Sequence, residues 1–218
     1  MKKILVLAAC MVLLLAGAAQ ADILTLGSHY NSIPSLVNGS STVVFEGGGS
    51  VGPSSWNGTH LKYVYCVDLF QNITVPATYG SATATSTGYA NGAYILHADQ
   101  IAWLLDTYAS SSAGNATMES ALQASIWHVI YADPGGHSYD LASSSAAYSL
   151  YNSYISQVVG KAGNISSYLW ITPGGPNNFR LQALVTANPV PEPGTMMLLG
   201  SGLVGLAAWG RKKVKVRK

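Results

Sequence analysis

The most distinctive reactive side chain in this sequence is Cys66, a lone thiol in the part of the chain that we expect to be exported. The sequence contains two cysteines, and Cys10 lies inside an apolar N-terminal run that we expect to be removed. One remaining cysteine has no partner for an internal disulfide. Because a thiolate is a strong nucleophile, Cys66 is the first candidate site.

Two conventional uses of such a thiol fit the sequence poorly. A cysteine hydrolase would pair Cys66 with His97 or His128, but the chain has no glycine-rich nucleophile turn, and Cys66 lies in a predicted strand rather than at a helix N-terminus. A metal site needs ligands at characteristic spacings, which the five histidines do not show relative to the cysteine. We therefore predict no enzyme activity, no metal and no cofactor.

Strand patterns occur at both ends of the exported region. Residues 23–74 are strand-like, and residues 61–69 alternate so that Cys66 shares a face with polar neighbours. Residues 79–92 are rich in Ser, Thr and Gly, which predicts turns with a short strand. Strand character returns at residues 168–171 and 179–186.

Helical spacing occupies the middle of the region. Residues 97–109 form one predicted helix, Asn115 or Thr117 can cap a second, and a third covers residues 141–159. The order of elements predicts an α+β fold, a β-rich domain with an inserted segment of two to three helices.

The residues around Cys66 resemble a known arrangement. Tyr65-Cys66 resembles the strand motif of the thioester domain in surface adhesins of Gram-positive bacteria, and the segment from Leu122 to Trp127 resembles its helix motif, Thr-Gln-x-Ala-Ile-Trp. Gln123, Ile126 and Trp127 match that motif, whereas Leu122 replaces its threonine and Ser125 its alanine. In that family the strand cysteine joins the helix glutamine, so the resemblance implies a Cys66–Gln123 thioester.

The bond that this resemblance implies has a clear chemistry. The sulfur of Cys66 attacks the carboxamide of Gln123, and ammonia leaves. The resulting thioester is an electrophile that survives only where water is excluded. A primary amine on a target would then form an amide with the glutamine and release Cys66.

Several neighbouring side chains are expected to support this site. Tyr65, Phe70 and Trp127 are expected to shield the thioester from water. Asp68, two residues after Cys66, is expected to orient an amide or a proton carrier. His128 is a candidate proton shuttle, although it projects about 140° away from Gln123 around the helix.

The N-terminus has the pattern of a secretory signal. Lys2 and Lys3 precede an apolar run over residues 4–19, and Ala19-Gln20-Ala21 has the small-x-small form of a cleavage site. We predict a signal peptide over residues 1–21, cleaved after Ala21 by signal peptidase, and an exported domain over residues 22–188.

The C-terminus combines three features in a fixed order. Pro191-Glu192-Pro193 precedes a predicted hydrophobic helix at 196–210 and a basic tail at 211–218. This order resembles the PEP-CTERM sorting signal of Gram-negative bacteria over residues 189–218, which implies processing by a membrane exosortase. The resemblance implies transient anchoring in the inner membrane, followed by release to the cell surface or extracellular matrix. An ordinary C-terminal anchor would give the same topology.

The charge of the exported domain narrows its partners. Three basic and eight acidic side chains leave a formal charge of −5, which argues against nucleic acid as a partner. Two functions remain. One is an adhesin that uses a thioester to attach to surface amines. The other is a non-covalent structural or adhesive protein of the biofilm matrix, with exopolysaccharide as a partner and Cys66 as a buried small hydrophobe.

Overall fold

The exported region holds the core of the protein. A computed structural model describes residues 22–27, 30–50, 52–132, 136–189 and 200–203. The chain divides into two units, Met1–Ala187 and Asn188–Lys218. The buried core of the described residues lies entirely between Leu24 and Val185, inside the predicted exported domain over residues 22–188.

The predicted targeting segments fall mainly outside the described residues. The signal peptide, the Pro191-Glu192-Pro193 motif and the basic tail at 211–218 lie outside them altogether. Of the hydrophobic segment at 196–210, residues 200–203 are described, and they are helical. Across the described ranges, no helix is both long and apolar enough to span a membrane.

Most of the strands join one large sheet. Seven strands lie in the order β5-β4-β1-β7-β11-β12-β6, β10-β2-β3 form a second sheet, and β8-β9 form a hairpin; the pairings in all three are antiparallel. The strands are β1 (Asp22–Leu26), β2 (Asn31–Val37), β3 (Val44–Gly48), β4 (Ser54–Trp56), β5 (Thr59–Leu61), β6 (Tyr65–Cys66), β7 (Ala77–Thr85), β8 (Tyr89–Ala90), β9 (Ala93–Tyr94), β10 (Tyr139–Leu141), β11 (Tyr168–Thr172) and β12 (Leu184–Ala187).

Two strand predictions are corrected by this topology. The segment 61–69 is not one alternating strand but contains the end of β5 and the two-residue β6, and Cys66 is buried rather than on a polar face. Alternation has little meaning here because residues 63–67 are all buried. The segment 79–92, predicted as turns with a short strand, contributes to β7, which is nine residues long. Its Ser and Thr residues suit a strand that pairs on both sides.

Three α-helices of seven or more residues lie between the strands of the described region. The first, α1, covers Ala98–Leu104 and continues as a π-helical turn, Leu105–Ala109; α2 covers Ala116–Ile130 and α3 Tyr148–Val158. The Asn115 side chain accepts a hydrogen bond from the Met118 N–H at 3.1 Å, so the predicted N-cap is confirmed. The third helix begins later than predicted because residues 139–141 pair with β2 as β10.

The prediction of a mixed, β-rich domain with a few helices in its middle is confirmed. Helix α2 is the central element of the helical segment, since it contacts α3, β2, β10 and β6. Its inner face buries three polar side chains, Glu119, Gln123 and Ser125. Such residues are costly inside a core unless they are hydrogen-bonded, which directs attention to their partners.

Candidate functional site

The backbone of Cys66 is held by the side chain of Gln123. Strand β6 is the last strand of the large sheet, and Cys66 pairs with Leu184 of β12 on one side only. On the open side, the Cys66 N–H donates to Gln123 Oε1 at 2.9 Å, and Gln123 Nε2 donates to the Cys66 carbonyl at 2.8 Å. One amide thus satisfies both backbone groups that a further strand would otherwise pair.

The thiol of Cys66 contacts a different glutamine. Its Sγ donates to Gln182 Oε1 at 3.1 Å, and Gln182 Nε2 donates to the Asp68 carbonyl at 2.7 Å. Gln182 precedes Leu184, the partner of Cys66, by two residues. Gln182 thus lies just before β12, and its side chain reaches the Cys66 thiol beside the β6–β12 pairing.

The sequence predicted Gln123 as the partner of Cys66 and did not single out Gln182. The structure brings Gln123 to Cys66, but both ends of its amide are engaged by the backbone. Gln182 lies in the segment 179–186 that was predicted as a strand. Its position beside Cys66 depends on pairing between segments 116 residues apart in sequence, for which the local pattern carries no signal.

Burial keeps the thiol protonated. Removal from water and, to a smaller extent, the nearby charge of Asp68 together raise the pKa of Cys66 to about 12. Burial also raises the pKa of Asp68. The hydrogen bond from the Phe70 N–H has the opposite, smaller effect on that pKa. A neutral thiol therefore points its hydrogen at the Gln182 carbonyl oxygen.

The three residues expected to shield the site differ in burial. Tyr65 and Trp127 are fully buried. Trp127 and Gln123 both lie against Gly48 of β3, where an added Cβ would stand 2.7 Å from Gln123 Cγ and 2.7 Å from Trp127 Cη2. Phe70 is 41% exposed and packs against His137, with ring centroids 3.9 Å apart, so its role as a shield stays a prediction.

Asp68 contributes both its carboxylate and its backbone carbonyl. The carboxylate accepts the Phe70 N–H at 3.1 Å and a hydrogen bond from the Asn91 side chain, and the Asp68 carbonyl accepts Gln182 Nε2 at 2.7 Å. The expected role of the carboxylate, to orient an amide or a proton carrier, stays a prediction.

His128 makes its polar contacts on the other side of α2. Its Nδ1 lies 2.8 Å from the Tyr151 hydroxyl, 3.1 Å from the Tyr139 carbonyl and 3.3 Å from Asp140 Oδ1. The described contacts of His128 therefore do not include Cys66. Among the residues that the structure describes, no group of three His, Cys, Asp or Glu side chains is arranged to hold a metal ion.

A cavity of about 520 Å³ leads from the surface to the thiol–amide pair. Cys66 and Gln182 form part of its wall, and β3 contributes Phe45 and Glu46. Its volume lies in the range of pockets that admit small molecules or single side chains. The buried pair thus lies beside a space that is large enough for a small reactant.

Fold and site together define an α+β protein with a buried thiol–carboxamide pair beside a cavity. Residues 189–212 match the family model of the PEP-CTERM protein-sorting motif. No curated protein and no solved structure matches the chain. The resemblance to thioester domains has no support from these comparisons and stays a prediction.

The matched motif confirms the coarser part of the predicted function. It supports a PEP-CTERM protein that is exported, anchored transiently in the membrane and processed by an exosortase. Signal peptidase, surface amines and exopolysaccharide remain predicted partners.

Proposed function

We propose that the exported domain forms an internal thioester through Cys66 and uses it to attach covalently to amines on a target surface or matrix. One observation carries the proposal: the buried Cys66 Sγ lies 3.1 Å from Gln182 Oε1 at the inner end of an open cavity. A nucleophile held against a carboxamide has a large advantage over the same groups free in solution.

Gln182 is the acyl partner that the geometry favours. The bond from Cys66 Sγ to Gln182 Cδ forms, the bond from Cδ to Nε2 breaks, and the thiol proton leaves with the nitrogen as ammonia. The existing hydrogen bond from sulfur to Oε1 polarises the carbonyl before attack. The Asp68 carbonyl fixes the amide nitrogen that departs.

Gln123, the partner implied by sequence resemblance, is the alternative acyl donor. It is fully buried and also touches Cys66. Its amide would have to release both backbone groups of Cys66 before the sulfur could attack its carbon. We therefore assign Gln123 to positioning of the strand and Gln182 to the bond.

Intact mass spectrometry of the domain over residues 22–188 tests the proposal. We expect the wild-type mass to be short by one ammonia, and addition of isotopically labelled methylamine to add one methylamine per chain. Peptide mapping should place the methylamide on Gln182. Cys66→Ala and Gln182→Ala should both show their full predicted masses.

Gln157→Ala is the matched control, because Gln157 is an exposed helical glutamine whose loss should leave the ammonia deficit intact. A methylamide on Gln123 would assign the bond to that residue instead. A full wild-type mass with a free Cys66 would contradict the thioester altogether.

A non-covalent surface or matrix protein is the second candidate function. The raised pKa of Cys66 favours it, because a neutral, buried thiol is a poor nucleophile and behaves as a small core residue. In this alternative the hydrogen bonds of Gln123 and Gln182 only join α2 and β12 to β6. The two functions share export and sorting and differ in one covalent bond.

A further inference from the structure

The wall of the cavity beside Cys66 includes an acidic residue that the bond-forming steps do not use. Glu46, in β3, lines the cavity and is partly buried. In the part of the chain that the structure describes, its carboxylate has neither a hydrogen-bond nor an ion-pair partner. A desolvated carboxylate without a partner is unfavourable unless a cation or a donor meets it.

The strand directs Glu46 towards the thioester site. Gly48, two residues further along β3, faces Gln123 and Trp127. Because side chains alternate with a period of two, Glu46 projects from the same face of β3 as Gly48. The carboxylate is therefore on the side of the strand that faces α2 and the site.

The mouth of the cavity adds two aromatic rings. Tyr30 and Phe45 also line it and are 54% and 70% exposed. Aromatic faces attract ammonium groups, but alternation along β3 places the Phe45 ring on the face opposite Glu46, so the carboxylate is the group that carries the site. Among the described lining residues, Glu46 is the one with a formal charge, so the cavity is suited to cations rather than anions.

We propose that the cavity is an ammonium-binding site in which Glu46 selects a primary alkylamine, such as a lysine side chain or a diamine, and delivers it to the thioester. This inference depends on the proposed function for its chemical step. Binding of the ammonium itself depends only on the cavity.

Glu46 also accepts the proton that the reaction must remove. The ammonium transfers one proton to Glu46, and the free amine attacks the thioester carbonyl carbon. The new carbon–nitrogen bond forms, the carbon–sulfur bond breaks, and the departing Cys66 sulfur takes the second nitrogen proton. The products are an amide on the glutamine and a neutral thiol, and Glu46 then returns its proton to water.

Two nucleophiles of different charge test this role. With 1,5-diaminopentane, which is cationic at neutral pH, Glu46→Gln should lower the rate of amide formation by about tenfold, the loss expected for one charge-assisted contact. With hydroxylamine, which is largely uncharged at that pH, the rate should stay the same. Asp99→Asn, which removes an equal charge from α1, is the control and should change neither rate.

An equal fall in both rates, or no fall in either, would overturn the role of Glu46. Ammonium binding is tested separately from thioester formation, by NMR titration of the Cys66→Ala domain with 1,5-diaminopentane. Shifts at the cavity that disappear in Cys66→Ala/Glu46→Gln support the ammonium site, and unchanged binding refutes it. Failure of the thioester is recognised separately, by a wild-type mass without the ammonia deficit.

Discussion

Gln123 shows how one buried side chain can replace a strand. The outer edge of β6 would leave the N–H and carbonyl of Cys66 unpaired inside the protein, and the Gln123 amide pairs both. An amide is the natural choice, because it offers a donor and an acceptor side by side. The same contact fixes the backbone from which the thiol projects toward Gln182.

We expect Gln123→Ala to lower the free energy of unfolding by about 3 kcal/mol, because it leaves two buried backbone groups without partners and opens a cavity. Urea denaturation followed by circular dichroism measures the change. Gln157→Ala, which removes an exposed glutamine in α3, should alter stability by less than about 0.5 kcal/mol. Equal stability of both variants would show that Gln123 does not hold β6.

At the scale of elements, the site depends on how closely β3 approaches α2. Gly48 is buried, and its missing side chain leaves space that Gln123 and Trp127 fill. Protein interiors have little free volume, so even one added methyl group must displace a neighbour. Here the neighbours are the glutamine that positions Cys66 and a fully buried indole.

Gly48→Ala should therefore lower the free energy of unfolding by about 1–3 kcal/mol, the usual cost of overpacking. If Gln123 is displaced, the fraction of chains whose mass is short by one ammonia should also fall. Thermal denaturation and intact mass measure the two effects. Gly80→Ala provides a matched strand glycine, because nothing lies within 4 Å of an added Cβ there. A Gly48→Ala domain as stable as Gly80→Ala would contradict close packing at this position.

The same elements show what local sequence can predict. Helices α1 and α2 follow from apolar spacing and from the Asn115 cap, which are properties of neighbouring residues. The long β7 was missed because its Ser and Thr side chains carry little apolar signal, and its strand state comes from pairing with β1 and β11. Gln182 was missed for a related reason, since its contact with Cys66 requires β12 to pair with β6.

At the scale of the whole molecule, tyrosine rather than charged side chains supplies much of the polar character. The chain has 13 tyrosines, and many are packed into the core of a domain with few ionic groups. Burial raises the pKa of eight of them; for Tyr131 the value is about 12. The others are Tyr63, Tyr65, Tyr108, Tyr139, Tyr151, Tyr154 and Tyr168.

From these buried tyrosines we expect the folded domain to lose stability cooperatively at alkaline pH. Their phenols hold protons more tightly in the folded than in the unfolded state, whose tyrosines ionise near pH 10. The stabilisation is thus complete below about pH 10 and decreases as the pH rises above it.

We expect the phenolate absorbance of these eight tyrosines to rise in one step that coincides with loss of the circular dichroism signal, above the pH at which the urea-unfolded chain titrates. Tyr131→Phe should shift this step to higher pH, because it removes one ionising group but keeps the ring that packs edge-on against Phe70. It also removes the hydroxyl that accepts the Leu69 N–H, so its stability is compared at neutral pH first. Gradual ionisation of all the tyrosines near pH 10 in a domain that stays folded would contradict this account of the core.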